Sequence, residues 1–447
     1  LRWLRKKVKA DFPMRKIILG FLVFFSSLSI TSAQEQHGED NHSETTEQHA
    51  AEEAHHGEGD HGCACHEHHD EEFKPAETAF HHTGDANAFH IYGDTYLSLP
   101  IILYAPEHGW TFAMSHQFDD SSTPMIFNGD HGTGTKAIDG YVMYDGSIMR
   151  VPDEQFPAGE VEIECINHTP QEEAGEKDIF EVVYNGECYQ LDKKSTIDGG
   201  ILGGGITSFY DFSITKNVLT MIITFIVLFL LFRAAVRGYE KRKGEAPKGI
   251  QSFLEPIFTF IRDEVAIPFL GHKYERYLPF LMSIFFFILG LNLIGQIPFI
   301  PGSGNVTGNL AVTLGLALIT FLVTNFSGNK HYWEHVFWMP GTPTWLKVIL
   351  TPVEILSLFI KPLTLMLRLF ANISGGHIVL VIFVGLIFIF GNSGENLGGG
   401  ALGALMAVPL TMFMMALELL VALVQAFVFC ILSASYIGAA IEEPHHH

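Results

Sequence analysis

No Walker loop, no nucleotide-binding glycine fingerprint and no catalytic triad can be read in this 447-residue sequence. The chain is therefore expected to carry no nucleotide chemistry, to hold no cofactor and to be no enzyme by itself. Basic residues are scarce, with 27 Lys and Arg against 49 Asp and Glu for a net charge of -22, and no nucleic acid is expected among its partners. Cysteine is sparse too. Of the five, Cys63, Cys65, Cys165 and Cys188 precede residue 212, and Cys165 with Cys188 could close a disulfide in an oxidising compartment. Cys430 stands in an apolar run and reads as a small packing residue.

What is present divides in two. The net charge suggests an acidic soluble protein, yet mean hydropathy is positive at +0.23. Residues up to about 211 are polar, acidic and His-rich, whereas those from 212 onward are dominated by apolar runs of the length that crosses a bilayer, about 20 residues each. Met14, Arg15 and Lys16 open an apolar run at 17–25 that ends in Thr31-Ser32-Ala33. This has the layout of a secretory signal, so residues 1–33 read as upstream residues plus signal peptide, with cleavage after Ala33.

Residues 34–72 hold nine histidines and thirteen acidic residues with no Lys or Arg. Such a segment buries too little apolar surface to offset chain entropy and is expected to be disordered. Within it Cys63, Cys65, His66, His68 and His69 offer soft and imidazole ligands for Zn or Cu, although their spacing matches no closed structural zinc site. Residues 73–211 show short alternating or aromatic runs at 95–103, 137–144, 160–166 and 179–184, broken by Asn-Gly, Asp-Gly and Pro, which predict a small β-rich exported domain. Gly199 to Gly205 would form a flexible entry to the membrane.

Residues 212–447 predict an all-α membrane domain with five apolar segments, at 214–235, 278–300, 307–326, 346–390 and 401–437. The last two exceed the hydrocarbon thickness at 1.5 Å per residue and should form a long, tilted or kinked hairpin. Arg233, Arg237, Lys241, Arg242, Lys243 and Lys248 crowd the exit of the first segment and mark it cytoplasmic, which agrees with an exported N-terminus. Odd parity then sends the C-terminus to the cytoplasm. Residues 249–270, apolar at helical spacing with Glu255, Arg262, Asp263 and Glu264 between, suit the cytoplasmic interface.

Ionisable groups deep in a bilayer are costly and are functional candidates by default. Arg368 lies more than a dozen residues from either end of its segment, too far to reach water by snorkelling. His377 follows it by nine residues, about 13 Å along the axis, and Glu418 precedes Gln425 by seven, about 10 Å. In an antiparallel hairpin one register sets Glu418 level with His377 and Gln425 level with Arg368, a polar seam able to bind and pass protons. Glu354, Thr364 and Asn372 offer a second polar track on the cytoplasmic side, with interhelical hydrogen bonding an equal alternative for Thr364 and Asn372.

The string Leu367-Arg368-Leu369-Phe370-Ala371-Asn372 and the later Gln425-Ala426-Phe427 resemble the signature of subunit a of F-type ATP synthases, over roughly residues 212–441. The resemblance implies that Arg368 faces a rotor ring, with Gln425 beside it, and that His377 and Glu418 are the outer half-channel's acid and histidine pair. It further implies that Asn292 lines the same channel and that Glu354 is the inner half-channel's acid. Many members carry an acid where this chain has Gly295. The implied partners are the c-ring, the subunit b peripheral stalk, the remaining F0F1 subunits and membrane lipid, in a bacterial inner membrane with the N-terminal region periplasmic. The rival is a His-rich metal-ion transporter or channel, against which Arg368 argues, since a fixed charge at the centre of a cation path repels a divalent ion.

Overall fold

A computed structural model describes residues 65, 84–92, 95–119, 126–128, 131–169, 178–195, 205–242, 245–297, 304–339, 341–391 and 396–442. The expected signal peptide, most of the His-rich segment and glycines 199–204 lie outside them. The chain divides into two compact units, one formed mainly by residues 86–213 and the other mainly by residues 214–447.

The first unit is built of antiparallel strands. A five-stranded sheet runs in the order Glu160–Glu162, Lys136–Ile138, Tyr141–Tyr144, Ser147–Arg150, Asp192–Lys193. Three-stranded sheets join Cys165–Thr169, Ile179–Tyr184 and Glu187–Gln190, and Tyr210–Asp211, Pro100–Ala105 and Gly109–Met114. Two-residue loops connect the tight hairpins, and each is a pair the sequence supplies for φ > 0 at both positions: Asp139-Gly140, Asp145-Gly146 and Asn185-Gly186, with φ of 49° and 76°, 47° and 71°, and 52° and 76°. Such turns match the twist of the flanking strands. They also explain why the expected run at 137–144 is two strands rather than one. Alternation sends Ile101, Leu103 and Ala105 into one core with Phe118, Tyr141 and Phe209, while Val142, Phe180 and Val182 fill a second with Phe156.

The Cys165–Cys188 bridge that the sequence left open is excluded by this sheet. Cys165 and Cys188 pair with the same residue, Val183, from opposite sides of one strand. They are therefore two strand spacings apart, about 10 Å, beyond the reach of a disulfide. Cys165 instead bonds Cys65, with Cα atoms 5.9 Å apart, and Cys188 is itself disulfide-bonded. A cystine sulfur carries no thiolate, so Cys65 is no metal ligand while the bridge is closed. Cys63, His66, His68 and His69 lie outside the described residues.

The second unit is helical. Helix α1 spans Lys216–Lys241 and is capped by the Thr215 side chain. Helix α2, Ile250–Phe260, continues through a π-helical turn at Ile261–Ala266 into Ile267–Leu270. Then come α3, Tyr274–Gly295, α4, Leu310–Ser327, and the short α5, Lys330–Phe337. Helices α6, Thr344–Gly391, and α7, Leu397–Ile441, form the hairpin. Among the described residues, five helical stretches are long and apolar enough to cross a membrane. At 48 and 45 residues, α6 and α7 would run about 70 Å, more than twice the hydrocarbon thickness, so they cannot stand upright.

Helix α3 supplies the centre of the unit, with Leu281, Phe285, Phe287, Ile288 and Leu291 all buried. Helix α7 approaches it through a row at four-residue spacing, Ala422, Ala426, Cys430 and Ala434, every member fully buried. Small residues on one ridge let two backbones close up, and here the Cys430 thiol reaches the Leu281 carbonyl at 3.6 Å. At the hairpin turn Gly403 lies against the Leu386 carbonyl, where a Cβ would come within 2.9 Å. By contrast, Leu356, Phe359, Leu363 and Leu367 of α6 and Met412, Phe413 and Leu420 of α7 are exposed, an apolar face suited to lipid or to another membrane protein.

Candidate functional site

One polar contact marks the hairpin register. His377 Nε2 lies 3.4 Å from Glu418 Oε1, with the Glu418 side chain only 4% exposed and that of His377 20%. At that separation a hydrogen bond is at its outer limit, and Glu418 Oε1 has no hydrogen-bond partner. Room for the carboxylate comes from Gly376, where a Cβ would stand 3.1 Å from the same oxygen. From this pair both helices run toward Arg368 and Gln425. Nine residues back along α6 and seven forward along α7 are about 13 and 10 Å, which brings Arg368 and Gln425 nearly level. Gln425 is buried. Arg368 is half-buried at the edge of the apolar face, in a row with exposed Thr364 and Asn372 one turn to either side.

Asn292 of α3 joins the His377 end. Its amide donates to the Ala422 carbonyl at 3.3 Å, one turn beyond Glu418, and its carbonyl oxygen accepts from the Thr307 hydroxyl at 2.7 Å. Asn292 is thereby a structural clasp between α3 and α7 as well as a polar wall beside Glu418. Gly295, one turn later, is held by packing, since a Cβ there would meet the Gly304 carbonyl at 2.9 Å. No larger residue fits without moving backbone.

Glu354 and Thr364 lie toward the other end. The Thr364 hydroxyl donates to the Ile360 carbonyl of its own helix at 2.9 Å, so it does not bridge helices. Glu354 is half-buried and acts on Tyr332 of α5, whose phenol is pushed up first by burial and then by the Glu354 charge. The Tyr332 hydroxyl donates to Asn325 at 3.3 Å. Among the described residues no cluster of three or more His, Cys, Asp or Glu side chains forms a metal site.

A family model described as ATP synthase A chain matches residues 218–438. ATP synthase subunit a of Chloroherpeton thalassium is 41% identical over 243 residues, 53% of this chain and 69% of that protein. ATP synthase subunit a of Myxococcus xanthus is 38% identical over 261 residues, 57% of this chain and 81% of that protein. The chain belongs to the ATP synthase subunit a family. The family region takes in all of the ionisable groups just described and coincides with the helical unit. With its five long apolar helices, the chain is a multi-pass membrane protein. A second model, described only as a domain of unknown function (DUF8433), matches residues 78–196, within the β-rich part that the family match leaves out.

Sequence reasoning singled out Arg368, His377, Glu418 and Gln425 because charged and amide groups are rare in apolar segments. It missed Gly376, whose lack of a side chain accommodates the Glu418 carboxylate. It also missed Lys361, although Glu354, Lys361 and Arg368 recur at seven-residue intervals and so share one face of α6.

Proposed function

We propose that this chain is the stationary half of a proton path in a rotary ATP synthase, working against a ring of separate subunits that each carry one carboxylate at mid-membrane. A ring carboxylate facing lipid must be protonated, because its charged form there costs several kcal/mol. Opposite Arg368, which keeps its charge, the ionised form is favoured and the proton leaves. Arg368 thus separates two half-channels. One leads past Asn292, His377 and Glu418 to the periplasm, the other past Glu354 to the cytoplasm, and a proton crosses only by riding the ring. Each charge gains about 2.3 kcal/mol per 100 mV, so several must cross for one ATP, which suits a stepwise relay. The catalytic work belongs to the partner F0F1 subunits, with the subunit b stalk holding this chain still.

The observation that carries the reading is the buried His377–Glu418 pair, set about 13 Å from an arginine on the same helix. An imidazole and a carboxyl in contact exchange protons, whereas a packing role would not require titratable groups. The test is ATP-driven acidification of inverted vesicles, with assembly checked by blotting. Glu418→Gln and His377→Ala each lower pumping by at least about tenfold at unchanged complex content. The exchanged double variant, His377→Glu with Glu418→His, keeps both titratable groups in the seam and recovers part of it. Normal pumping by both single variants would sink the assignment of this pair.

A further inference from the structure

The three-stranded sheet of Tyr210–Asp211, Pro100–Ala105 and Gly109–Met114 turns one face inward and leaves the other open. Alternation buries Ile101, Leu103, Ala105 and Ala113 on the inner face. On the outer face Tyr210, Tyr104 and Trp110 stand in one cross-strand row, and Ile102 pairs with Phe112 in the next. Phe212 extends that second row, because its amide donates to the Ile102 carbonyl at 2.8 Å while the Ile102 amide donates to the Ser213 hydroxyl at 3.1 Å. Trp110 is the hub. Its ring centroid lies 4.9 Å from that of Tyr104, 5.6 Å from that of Phe212 and 6.3 Å from that of Phe112. Mutual packing does not bury these rings, since Phe112 remains 72% exposed and Trp110 55%. Neither row holds a charged residue, whereas the exposed positions of Glu160–Glu162 and the exposed Glu187 elsewhere in the unit are acidic. A sheet face turned to water is expected to be polar. Clustered Trp and Tyr with neighbouring Phe belong where water meets hydrocarbon.

What covers this face follows from where its edge strand goes next. Four residues after Phe212 the chain starts α1 at Lys216, a reach of at most about 14 Å. Arg233 and Arg237 mark the far end of the apolar run in α1, and the roughly 20 residues that cross the hydrocarbon, counted back from Arg233, start at residue 213. Phe212 therefore stands at the membrane boundary. Backbone hydrogen bonds hold Ile102 and Phe112 in the same row, so the aromatic face is kept within a few ångströms of chain from the lipid.

We propose that this aromatic face is a lipid-binding surface that seats the β-rich unit on the leaflet where α1 begins. Trp110 and Phe112 enter the layer between headgroups and acyl chains, and the Tyr104 and Tyr210 hydroxyls meet the headgroups. The ligand is phospholipid in a bilayer surface. The residues of strands Pro100–Ala105 and Gly109–Met114 fall within the 78–196 match to the domain of unknown function, which thereby gains a membrane-facing side. This seating requires only that α1 crosses the membrane, and it is independent of the proton path.

The test is photocrosslinking in the assembled complex in its native membrane, with p-benzoylphenylalanine placed at Phe112, at Trp110 or, as the control, at the exposed Glu187. All three positions are open, so the larger side chain displaces no core. After illumination the chain is isolated and its adducts are identified by mass, and retention of the Cys65–Cys165 bridge verifies that the unit has folded. Phospholipid adducts at 112 and 110 exceed those at 187 by at least about tenfold. Equal lipid labelling at all three positions overturns the proposal, and so does a folded chain without lipid adducts at 112 and 110. Adducts there to another subunit or to another segment of this chain, in place of lipid, also overturn it and make the face a protein-docking surface. Where neither substituted chain folds, hydroxyl-radical footprinting of the unsubstituted complex in the membrane decides: Trp110 and Phe112 escape oxidation if lipid covers them, and heavy oxidation of both overturns the seating.

Discussion

The two ends of the hairpin solve one problem with different materials. At the His377 end an acid and an imidazole touch, the acid is almost wholly buried, a glycine makes its space and an asparagine clasps a neighbouring helix beside it. At the Glu354 end Glu354, Lys361 and Arg368 follow one another at two-turn intervals on a half-exposed face, and Lys361 edges a small cavity together with hydroxyls of the neighbouring helices. Direct contact demands precise packing, and separated charges do not. The His377 end should therefore be brittle toward small changes of shape, and the Glu354 end should tolerate them.

Substitutions matched between the ends break or sharpen that contrast. The largest effect is expected at Asn292, since Asn292→Leu strips a partner from both Thr307 and the Ala422 carbonyl. Stability of the detergent-solubilised complex should fall by about 1–3 kcal/mol, read as a lower melting temperature. Smaller is Gly376→Ala, whose Cβ would stand 3.1 Å from the Glu418 carboxylate. Pumping should fall about threefold, under 1 kcal/mol, at normal assembly. Gly375→Ala is the control, because its Cβ would meet nothing within 4 Å, and it should pump as the parent does. The smallest effect belongs to Thr364→Ala at the other end, which removes only a bond to the same helix and should leave stability within about 0.5 kcal/mol. Equal losses at Thr364 and Asn292 would erase the contrast.

How much of this was legible in the sequence follows from what each signal encodes. The membrane helices were readable because transfer from water dominates all else in runs of 20 or more apolar residues. Helical rise offered one antiparallel register in which His377 meets Glu418, and the His377–Glu418 contact agrees with it. In the β-rich unit the strand at Ile179–Tyr184 falls where alternation predicted it, whereas Asp139-Gly140 was read through as part of one run at 137–144 although its φ values make it a turn. The cysteine pairing was not readable, because Cys165 and Cys188 face one strand from opposite sides, a fact of sheet order rather than of spacing. Gly376 was equally hidden. It acts through the absence of a side chain, which matters only once neighbouring helices are packed.

Arg368→Ala in inverted vesicles tests the central claim most directly, with ATP hydrolysis and acidification measured on the same preparation and assembly verified by blotting. The account predicts a complex that assembles and hydrolyses ATP but does not acidify the vesicles. Acidification at the parental rate would contradict it, making Arg368 a structural residue and leaving the two ends of the hairpin without a barrier between them.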